Sequence, residues 1–372
     1  MKLTCDRAAL LAALRAAEPA RANRTTKPVL GMVLLRALAD RLTIEATDLE
    51  VGVRTEVRGV TPDRAGSVAV DPTPLMAILR ESSDETVRLA YADDVLSVTA
   101  GVDEYDLPTA DPLEFPELPE FDATALCHEV TAGVLRTLIK RAVVASDPKG
   151  GSRYSTDGVL WEAEHSKLRL VATDTKRLVA AEGPATTTGE TDPKGCSHLV
   201  PLKSIKVLVN NLTADDGELV RVALKPNEAI FQTERALIHT RLVEGRFPPW
   251  RNIVPKKLDV KLSVPPAAML AAVRKASITI DPESVRLEME FAAGKLSLAG
   301  AGKASGRSKV TMPLPDYGGE SVAVALDKDY VRETLAAIQA EPSVTLEMTD
   351  STKPVIFRLG TEYLCLVMPL SD

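Results

Sequence analysis

Apolar positions along the chain follow one order three times: a short alternating strand, then an Ala/Leu-rich stretch with helical spacing. In the first occurrence, Leu10, Leu11 and Leu14 fall on one face of a helix that follows the strand-like MKLTC. The three strand and helix pairs are MKLTC with DRAALLAALRAAEPA, ALCHEV with TAGVLRTLIKRAVVAS, and LDVKLSV with PPAAMLAAVRKASI. The hydrophobic pattern therefore predicts three related helices, each preceded by a strand.

A second strand and helix pair inside each occurrence indicates that the pattern is an internal repeat. Val70, Val200 and Leu326 hold equivalent positions in these pairs and lie 130 and 126 residues apart. Alternating strands run between the pairs, where Thr47 of the first copy returns as Thr173, again after 126 residues. We predict an α+β fold of three tandem repeats, each with two helices packed on antiparallel sheets of about eight strands.

Proline-rich connectors separate the repeats. FPELPEF follows the first repeat and EGRFPPWRNIVP follows the second. We therefore predict three domains, at residues 1–123, 124–256 and 257–372.

The second connector is too apolar for a solvated linker. Pro248, Pro249 and Pro255 remove amide donors and favour extended backbone, while Trp250 and Ile253 are apolar. We expect the segment to lie extended against the protein. Two interpretations of these residues stay open: a rigid connector between domains, or a connector that also forms one wall of a binding groove.

Composition favours a reduced, cytoplasmic protein. Of the 372 residues, 45% are hydrophobic and 26% are charged, which is typical of globular domains. No apolar run reaches the roughly 20 residues that cross a bilayer, and Asp6 and Arg7 interrupt the start of the chain, so neither a membrane span nor a signal peptide is predicted. The four cysteines lie far apart without a CxxC pair, which favours neither a disulfide framework nor a zinc site.

The net charge of −7 argues against a nucleic-acid partner, but its distribution changes that interpretation. Residues 6–28 carry five cations against two acids, and residues 130–153 carry five against one. Residues 81–106, by contrast, carry eight acids against Arg88 alone. Basic helices and an acidic strand region predict two differently charged surfaces, of which the basic one suits phosphates without reading sequence. The alternative is a solvated face that binds nothing.

No catalytic or metal-binding constellation can be found in the sequence. The four histidines are not spaced as metal ligands. The segment AGAGKA resembles a phosphate-binding loop, but Ser297 stands in place of its first glycine and Ala304 in place of the Ser/Thr, so a strand turn is predicted. Asp157 and Asp174 are compatible with a hydrolase, yet turn chemistry explains both. An enzyme is therefore the weakest hypothesis.

Four segments, spread in order along essentially the whole chain, carry a family resemblance. They are NRTTKPVLGMVLL, VATDTKRL, EGRFPPWRNIVP and YLCLVMPL. Together they resemble the bacterial sliding clamps, the beta subunits of DNA polymerase III. The resemblance implies three clamp domains, two chains joined head to tail into a ring around duplex DNA, and a non-catalytic role that tethers a polymerase at high effective concentration. It implies no cofactor.

The same resemblance implies three groups of site residues. Sequence-independent contacts to double-stranded DNA fall on Arg24, Lys149, Lys203 and Lys206. A groove receives a short, extended clamp-binding peptide of the DNA polymerase III alpha subunit, the clamp loader, other polymerases and repair proteins. Its lining is Thr173, Thr175, Arg177, Leu178, Pro248, Ile253, Tyr330, Leu366, Val367, Met368, Pro369 and Leu370. The homodimer interface includes Tyr105, Leu107 and Ile278.

The chain departs from the family pattern at the edges of this groove. Lys176 stands where a histidine is usual, Asn252 where an arginine is common, and Ser371 and Asp372 replace a basic-hydrophobic ending. These differences concern partner preference more than fold. Besides the main replicative clamp, a diverged copy that serves repair polymerases or acts as a protein-interaction scaffold stays open.

Overall fold

The computed structural model describes residues 1–122, 127–147, 156–164, 166–188 and 196–371. Within these ranges the chain forms six α-helices and 26 β-strands. Each repeat has two helices and eight or nine strands there, so the predicted α+β repeat is confirmed. In this described part of the chain, no helix is long and apolar enough to cross a membrane.

The first repeat begins with a capped helix. The Asp6 carboxylate accepts a hydrogen bond from the Ala9 amide at 2.7 Å, and Leu10 and Leu14 bury the apolar face of the helix. The elements are β1 (Lys2–Asp6), α1 (Arg7–Ala17), β2 (Val33–Ala37), β3 (Arg41–Thr47), β4 (Val51–Arg58), β5 (Thr61–Arg64), β6 (Gly66–Val70), α2 (Pro72–Glu81), β7 (Thr86–Ala92), β8 (Val95–Ala100) and β9 (Asp103–Ala110).

The second repeat follows the same order. Its elements are β10 (Cys127–Thr131), α3 (Ala132–Ala142), β11 (Gly158–Glu164), β12 (Lys167–Thr173), β13 (Arg177–Pro184), β14 (Thr186–Thr188), β15 (Cys196–Pro201), α4 (Leu202–Asn210), β16 (Leu219–Leu224), β17 (Glu228–Gln232) and β18 (Ala236–Arg241). In α4, Ile205 and Leu208 are buried, while Lys203 and Lys206 are exposed. The spacing of three places the two lysines on one face of the helix.

The third repeat opens its first helix with proline. Pro266 occupies the first helical position, where a missing amide donor is tolerated. The elements are β19 (Val260–Val264), α5 (Pro266–Ala276), β20 (Arg286–Ala292), β21 (Gly294–Gly302), β22 (Gly306–Leu314), β23 (Val322–Asp327), α6 (Lys328–Ala337), β24 (Val344–Met348), β25 (Val355–Leu359) and β26 (Tyr363–Val367).

The strands form three antiparallel sheets, of which the two larger ones each continue from one repeat into the next. A 14-stranded sheet has the order β14-β10-β16-β17-β18-β4-β3-β2-β6-β9-β8-β7-β1-β5, and pairs β4 with β18. An 8-stranded sheet has the order β15-β11-β12-β13-β26-β25-β24-β19, and pairs β13 with β26. A 4-stranded sheet has the order β22-β21-β20-β23.

The chain forms two compact units, and neither coincides with a single repeat. One contains Met1–Gly133, Ala185–Lys194 and Lys203–Val243, and the other contains the remaining segments. Each unit combines strands of two neighbouring repeats, because backbone hydrogen bonds across β4–β18 and β13–β26 join those repeats into one sheet. The domain boundaries after residues 123 and 256 stay predictions.

The glycine-rich segment at residues 299–304 ends β21 and begins the turn to β22, as predicted. The Asp281 carboxylate accepts hydrogen bonds from the Lys303 amide at 2.6 Å and from the Ser305 amide at 3.2 Å. The Ser305 hydroxyl donates to the same carboxylate at 2.8 Å. The amides of this turn therefore already bind an anion, which belongs to the chain itself.

Candidate functional site

A tight turn between β12 and β13 forms the centre of the predicted peptide groove. Thr173 Oγ1 donates to the Arg177 carbonyl at 2.7 Å and accepts from the Thr175 amide at 3.1 Å. Asp174 Oδ1 accepts from the amides of Lys176 and Arg177 at 3.0 and 2.8 Å. Thr175 has a φ of 73°, a left-handed conformation that non-glycine residues rarely adopt. The side-chain hydrogen bonds stabilise this strained turn.

Arg177 is the charged centre of the turn. Only 8% of its side chain is exposed, and it bonds Asp174 at 3.0 Å and Glu333 at 2.6 Å. It also lies over the Tyr330 ring, 4.2 Å from the centroid. Burial would lower the pKa of Arg177, but the hydrogen bond with Glu333 and the charge of Asp174 raise it. Burial, with the Asp174 charge, raises the pKa of Tyr330 to about 12, so a charged guanidinium faces a neutral ring.

The last strand pairs with the strand that follows the turn. In the β13–β26 pair, Arg177 lies opposite Val367 and Leu178 lies opposite Leu366. Leu178, Leu366 and Val367 are at most 2% exposed. These three residues, predicted to line the groove, are therefore part of the core and present almost no surface to solvent.

The residues after β26 are held by two backbone hydrogen bonds. The Met368 amide donates to the Lys176 carbonyl at 2.9 Å, and the Leu370 amide donates to the Ala325 carbonyl at 2.8 Å. Met368 is 39% exposed, and Pro369 and Leu370 are half-buried. The accessible apolar surface at this end of the chain comes from these three residues.

The second connector differs from its predicted shape. Pro248 is buried and Ile253 is 45% exposed, but Trp250–Asn252 form one turn of 3-10 helix. The Asn252 amide donates to the Pro249 carbonyl at 2.9 Å, and the Ile253 amide to the Trp250 carbonyl at 3.1 Å. The prediction of a wholly extended connector is wrong at this turn, because amides that the prolines do not remove find carbonyl partners inside the segment.

A turn with the same hydrogen bonds joins β3 and β4 in the first repeat; it is called the first turn, and the Thr173–Arg177 turn is called the second turn. Thr47 Oγ1 donates to the Val51 carbonyl at 2.9 Å and accepts from the Leu49 amide at 3.0 Å. Asp48 Oδ1 accepts from the amides of Glu50 and Val51 at 2.9 and 2.8 Å. Leu49, like Thr175 in the groove turn, is left-handed, with a φ of 78°.

Cations surround this first turn. Asp48 forms an ion pair with Lys203 of α4. Both residues line a cavity of about 500 Å³, together with Arg24, Lys27 and the 43% exposed Leu49. With three cations and one acid in its lining, the cavity is suited to an anionic group.

Three of the predicted DNA contacts are exposed. Arg24 and Lys203 meet in the cavity, and Lys206 lies one helical turn further along α4. Lys149 lies outside the described residues. Arg7, the cation at the start of α1, uses its guanidinium within the chain, where it donates to two backbone carbonyls, each at 2.6 Å.

The predicted ring-closing residues lie on or beside two strands with a free edge. Among the described strands, β9 pairs over most of its length only with β8, and β22 pairs only with β21. Tyr105 on β9 is 39% exposed, whereas Leu107 is 8% exposed. Ile278 is 76% exposed, and the next residue, Thr279, bonds Ser308 of β22 at 2.9 Å.

Of the residues weighed for catalysis, Asp174 has a structural role. Asp174 binds the amides of its own turn, and the Asp157 carbonyl accepts from the Leu202 amide at 3.2 Å. Burial lowers the pKa of His128 to about 4, so it is neutral at physiological pH. Among the described residues, no group of three or more His, Cys, Asp and Glu is placed to hold a metal.

Three family models cover most of the chain. They describe the N-terminal, central and C-terminal domains of the DNA polymerase III beta subunit, and match residues 1–119, 129–249 and 251–365. The chain belongs to the DNA polymerase III beta subunit family. The family, the three clamp domains and the function class predicted from the sequence, a DNA sliding clamp, are thereby confirmed.

Relatives of this beta-subunit family match nearly the whole chain. The beta sliding clamp of Escherichia coli (strain K12) is 27% identical over 361 residues, 95% of either chain. A Bacillus subtilis DNA polymerase sliding clamp has a TM-score of 0.91 at 20% identity, over 100% of this chain and 99% of that one. A Pseudomonas aeruginosa sliding clamp bound to griselimycin has a TM-score of 0.91 at 24% identity, over 100% of both. These two structures share the fold.

Sequence reasoning missed one charged cluster near the connector. Arg169 on β12 bonds Glu162, Glu164 and Glu182 of the adjacent strands, at 3.1, 3.1 and 2.7 Å. A signal was present in WEAEHSKLRL, whose alternating glutamates and cations fall on one face of a hairpin. The connection from this cluster to the connector has no sequence signal.

Proposed function

We propose that the chain is a non-catalytic clamp whose first turn meets DNA phosphates and whose second turn receives partner peptides. The observation that carries this proposal is one hydrogen-bond pattern in two different surroundings. Arg24 and Lys203 lie around the first turn, whereas Tyr330 and Met368 lie around the second. Contacts of lysine and arginine with phosphates carry no sequence information, which favours sequence-independent binding of double-stranded DNA and permits sliding in the cytoplasm. Lys206 and Lys149 join the proposed contacts.

The groove takes a short, extended peptide that ends in hydrophobic residues. Ile253 and Met368 are exposed apolar residues on two segments that proline and backbone hydrogen bonds restrain. A preformed surface of this kind lowers the ordering cost of binding. We assign the DNA polymerase III alpha subunit, the clamp loader, other polymerases and repair proteins to this one groove, where they compete.

Two copies close into a ring through β9 of one protomer and β22 of its partner. Free strand edges readily accept another strand. The β9 edge carries Asp103, Glu104 and Asp106, whereas β22 carries Arg307 and Lys309. This charge complementarity favours the head-to-tail arrangement, in which unlike edges meet. A ring closed in this way cannot leave DNA sideways.

Retention on DNA tests the clamp function. After loading, the protein should remain on circular DNA and leave linear DNA through the ends. Equal escape from both templates would overturn the proposal.

Sedimentation of one variant tests ring closure. Tyr105→Asp introduces a charge at an exposed interface position and should produce monomers. Leu113→Asp is the matched control, since Leu113 is an exposed apolar residue outside β9 and its change should leave the dimer intact. Leu107→Asp is less informative, because Leu107 is buried and its change would also damage the core. A dimeric Tyr105→Asp variant would contradict the assigned interface.

A diverged clamp that acts as a scaffold or serves repair polymerases is the second candidate. The altered groove edge favours it, since Lys176, Asn252 and Ser371 are all exposed. Asp372 lies outside the described residues. Reversal of charge at Arg24 and Lys203 separates the candidates, because a scaffold keeps its cellular role without DNA contacts whereas a clamp loses it.

A further inference from the structure

Glu162 on β11 holds the second connector by accepting hydrogen bonds from two connector side chains, those of Trp250 and Arg251. Trp250 Nε1 donates to Glu162 at 3.4 Å, and two nitrogens of Arg251 donate at 3.0 and 2.8 Å. Arg169 of β12 donates to the same carboxylate at 3.1 Å. Only 13% of the Glu162 side chain is exposed. The connector is thus attached to the sheet by a bidentate contact between the Arg251 guanidinium and the Glu162 carboxylate. Such a contact fixes the orientation of the two groups as well as their distance.

Arg169 keeps this anchor charged and in place. It bonds two further carboxylates and lies 5.9 Å from the centroid of the Trp250 ring, while Arg251 lies 4.4 Å from the same centroid. Burial would raise the pKa of Glu162, but the hydrogen bonds from Arg251 and Arg169 outweigh it and lower that pKa. The carboxylate is therefore ionised at neutral pH.

Backbone hydrogen bonds connect this attachment to the groove residues. The Trp250 amide donates to the Pro248 carbonyl at 2.6 Å, and the Ile253 amide donates to the Trp250 carbonyl at 3.1 Å. Fixing the Trp250–Asn252 turn therefore fixes both connector residues that are assigned to the groove wall.

We propose that Glu162 and Arg251 are positioning residues for the groove, which hold the Trp250–Asn252 turn in its binding shape before a peptide arrives. This inference rests on the proposed function, because that function assigns Pro248 and Ile253 to the groove. The Arg251 side chain is 55% exposed, so its ion pair is weak by itself. Its effect on binding comes from preorganisation: the connector is already ordered, so peptide binding does not have to include the free energy of ordering it.

Arg251→Met tests the inference against Lys261→Met. Lys261 bonds Glu347 at 2.9 Å, and Glu347 keeps Arg358 as its second partner. The control therefore removes one exposed cation from a buried carboxylate of the same 8-stranded sheet, but far along it from β11.

Affinity is measured with a fluorescein-labelled peptide that copies the clamp-binding segment of a DNA polymerase III alpha subunit. Arg251→Met should weaken binding about 3- to 10-fold, as expected for lost preorganisation. Lys261→Met should change it less than about twofold, as for an ordinary surface pair. Arg251→Lys keeps the positive charge but loses the bidentate guanidinium, so its peptide affinity should lie between those of the two Met variants. Equal affinities for the Met variants would overturn the inference.

Hydrogen exchange of the free protein separates the inference from the groove itself. In Arg251→Met, the amides of Asn252 and Ile253 should exchange several-fold faster than in Lys261→Met, without any peptide. Unchanged exchange would overturn the positioning role even if the peptide binds normally. If Ile253→Asp leaves peptide binding intact, the groove assignment fails, and the positioning role fails with it.

Discussion

The two turns at Thr47–Val51 and Thr173–Arg177 have the same backbone conformation and differ in the side chains that surround them. Each threonine hydroxyl bridges the same two backbone groups, and each aspartate binds the same pair of amides. Leu49 and Thr175 both take the left-handed conformation. The repeat has therefore kept a strained framework at two places in the chain.

The difference lies in the partner of each aspartate. Asp48 pairs with Lys203, whose side chain is 43% exposed and can still meet an anion. Asp174 pairs with Arg177, which is buried and lies over Tyr330. A shared hydrogen-bond pattern thus fixes the conformation of both turns, while the side chains around each turn differ, and the proposed preference for a phosphate or an apolar peptide rests on that difference.

The largest expected effect comes from placing a charge at the apolar turn. Met368→Asp should lower peptide affinity at least about 30-fold, because burying a carboxylate at a central contact removes about 2 kcal/mol or more. Leu49→Asp is the matched change at the first turn, where aspartate tolerates the left-handed backbone. It should weaken DNA binding and leave peptide affinity unchanged in a fluorescence titration. Loss of peptide binding in Leu49→Asp would break the comparison.

Reversing the cations at the first turn should have the next largest effect. Arg24→Glu combined with Lys203→Glu should lower DNA affinity about 10-fold or more, since two phosphate contacts are lost. The slope of log K against log salt should become shallower by about two. Lys176→Glu, at the second turn, is the control and should leave that slope unchanged in titrations across several salt concentrations.

A smaller effect should follow from neutralising each aspartate. Asp48→Asn keeps the oxygen that binds the turn amides but releases Lys203, so DNA affinity should rise about 2- to 5-fold, the range of an exposed ion pair. Asp174→Asn should leave DNA binding unchanged and weaken peptide binding, because Arg177 loses one partner. Identical effects of the two changes on DNA would show that the turns are not specialised.

The smallest effect concerns pH and the connector that is proposed to line the groove beside the second turn. The pKa of Glu162 lies below its ordinary value of 4.5. A lowered carboxylate pKa means that its contribution is complete above pH 4.5 and disappears as pH falls through the lowered value. Wild-type peptide affinity should therefore exceed that of Glu162→Gln by a constant factor from pH 7 to pH 5. A difference that fades within that range would contradict an ionised anchor.

Much of the fold follows from periodicity in the sequence. The spacing of 126 residues predicted that Thr47 and Thr173 are equivalent, and each Thr-Asp pair makes the same short-range hydrogen bonds in a turn. The ion pair of Asp48 with Lys203 could not be predicted, since 155 residues separate its members and only the folded sheet brings them together. The same holds for Glu162 and Arg251, whose contact also depends on the unforeseen 3-10 turn.

The free edges of β9 and β22 have a consequence for the newly made chain. An unpaired strand edge is a template for aggregation until it finds its proper neighbour. Two acidic β9 edges repel each other, and so do two basic β22 edges, so like edges are kept apart while chains search for partners. Because salt screens exposed charges, this protection against misassembly should weaken as ionic strength rises.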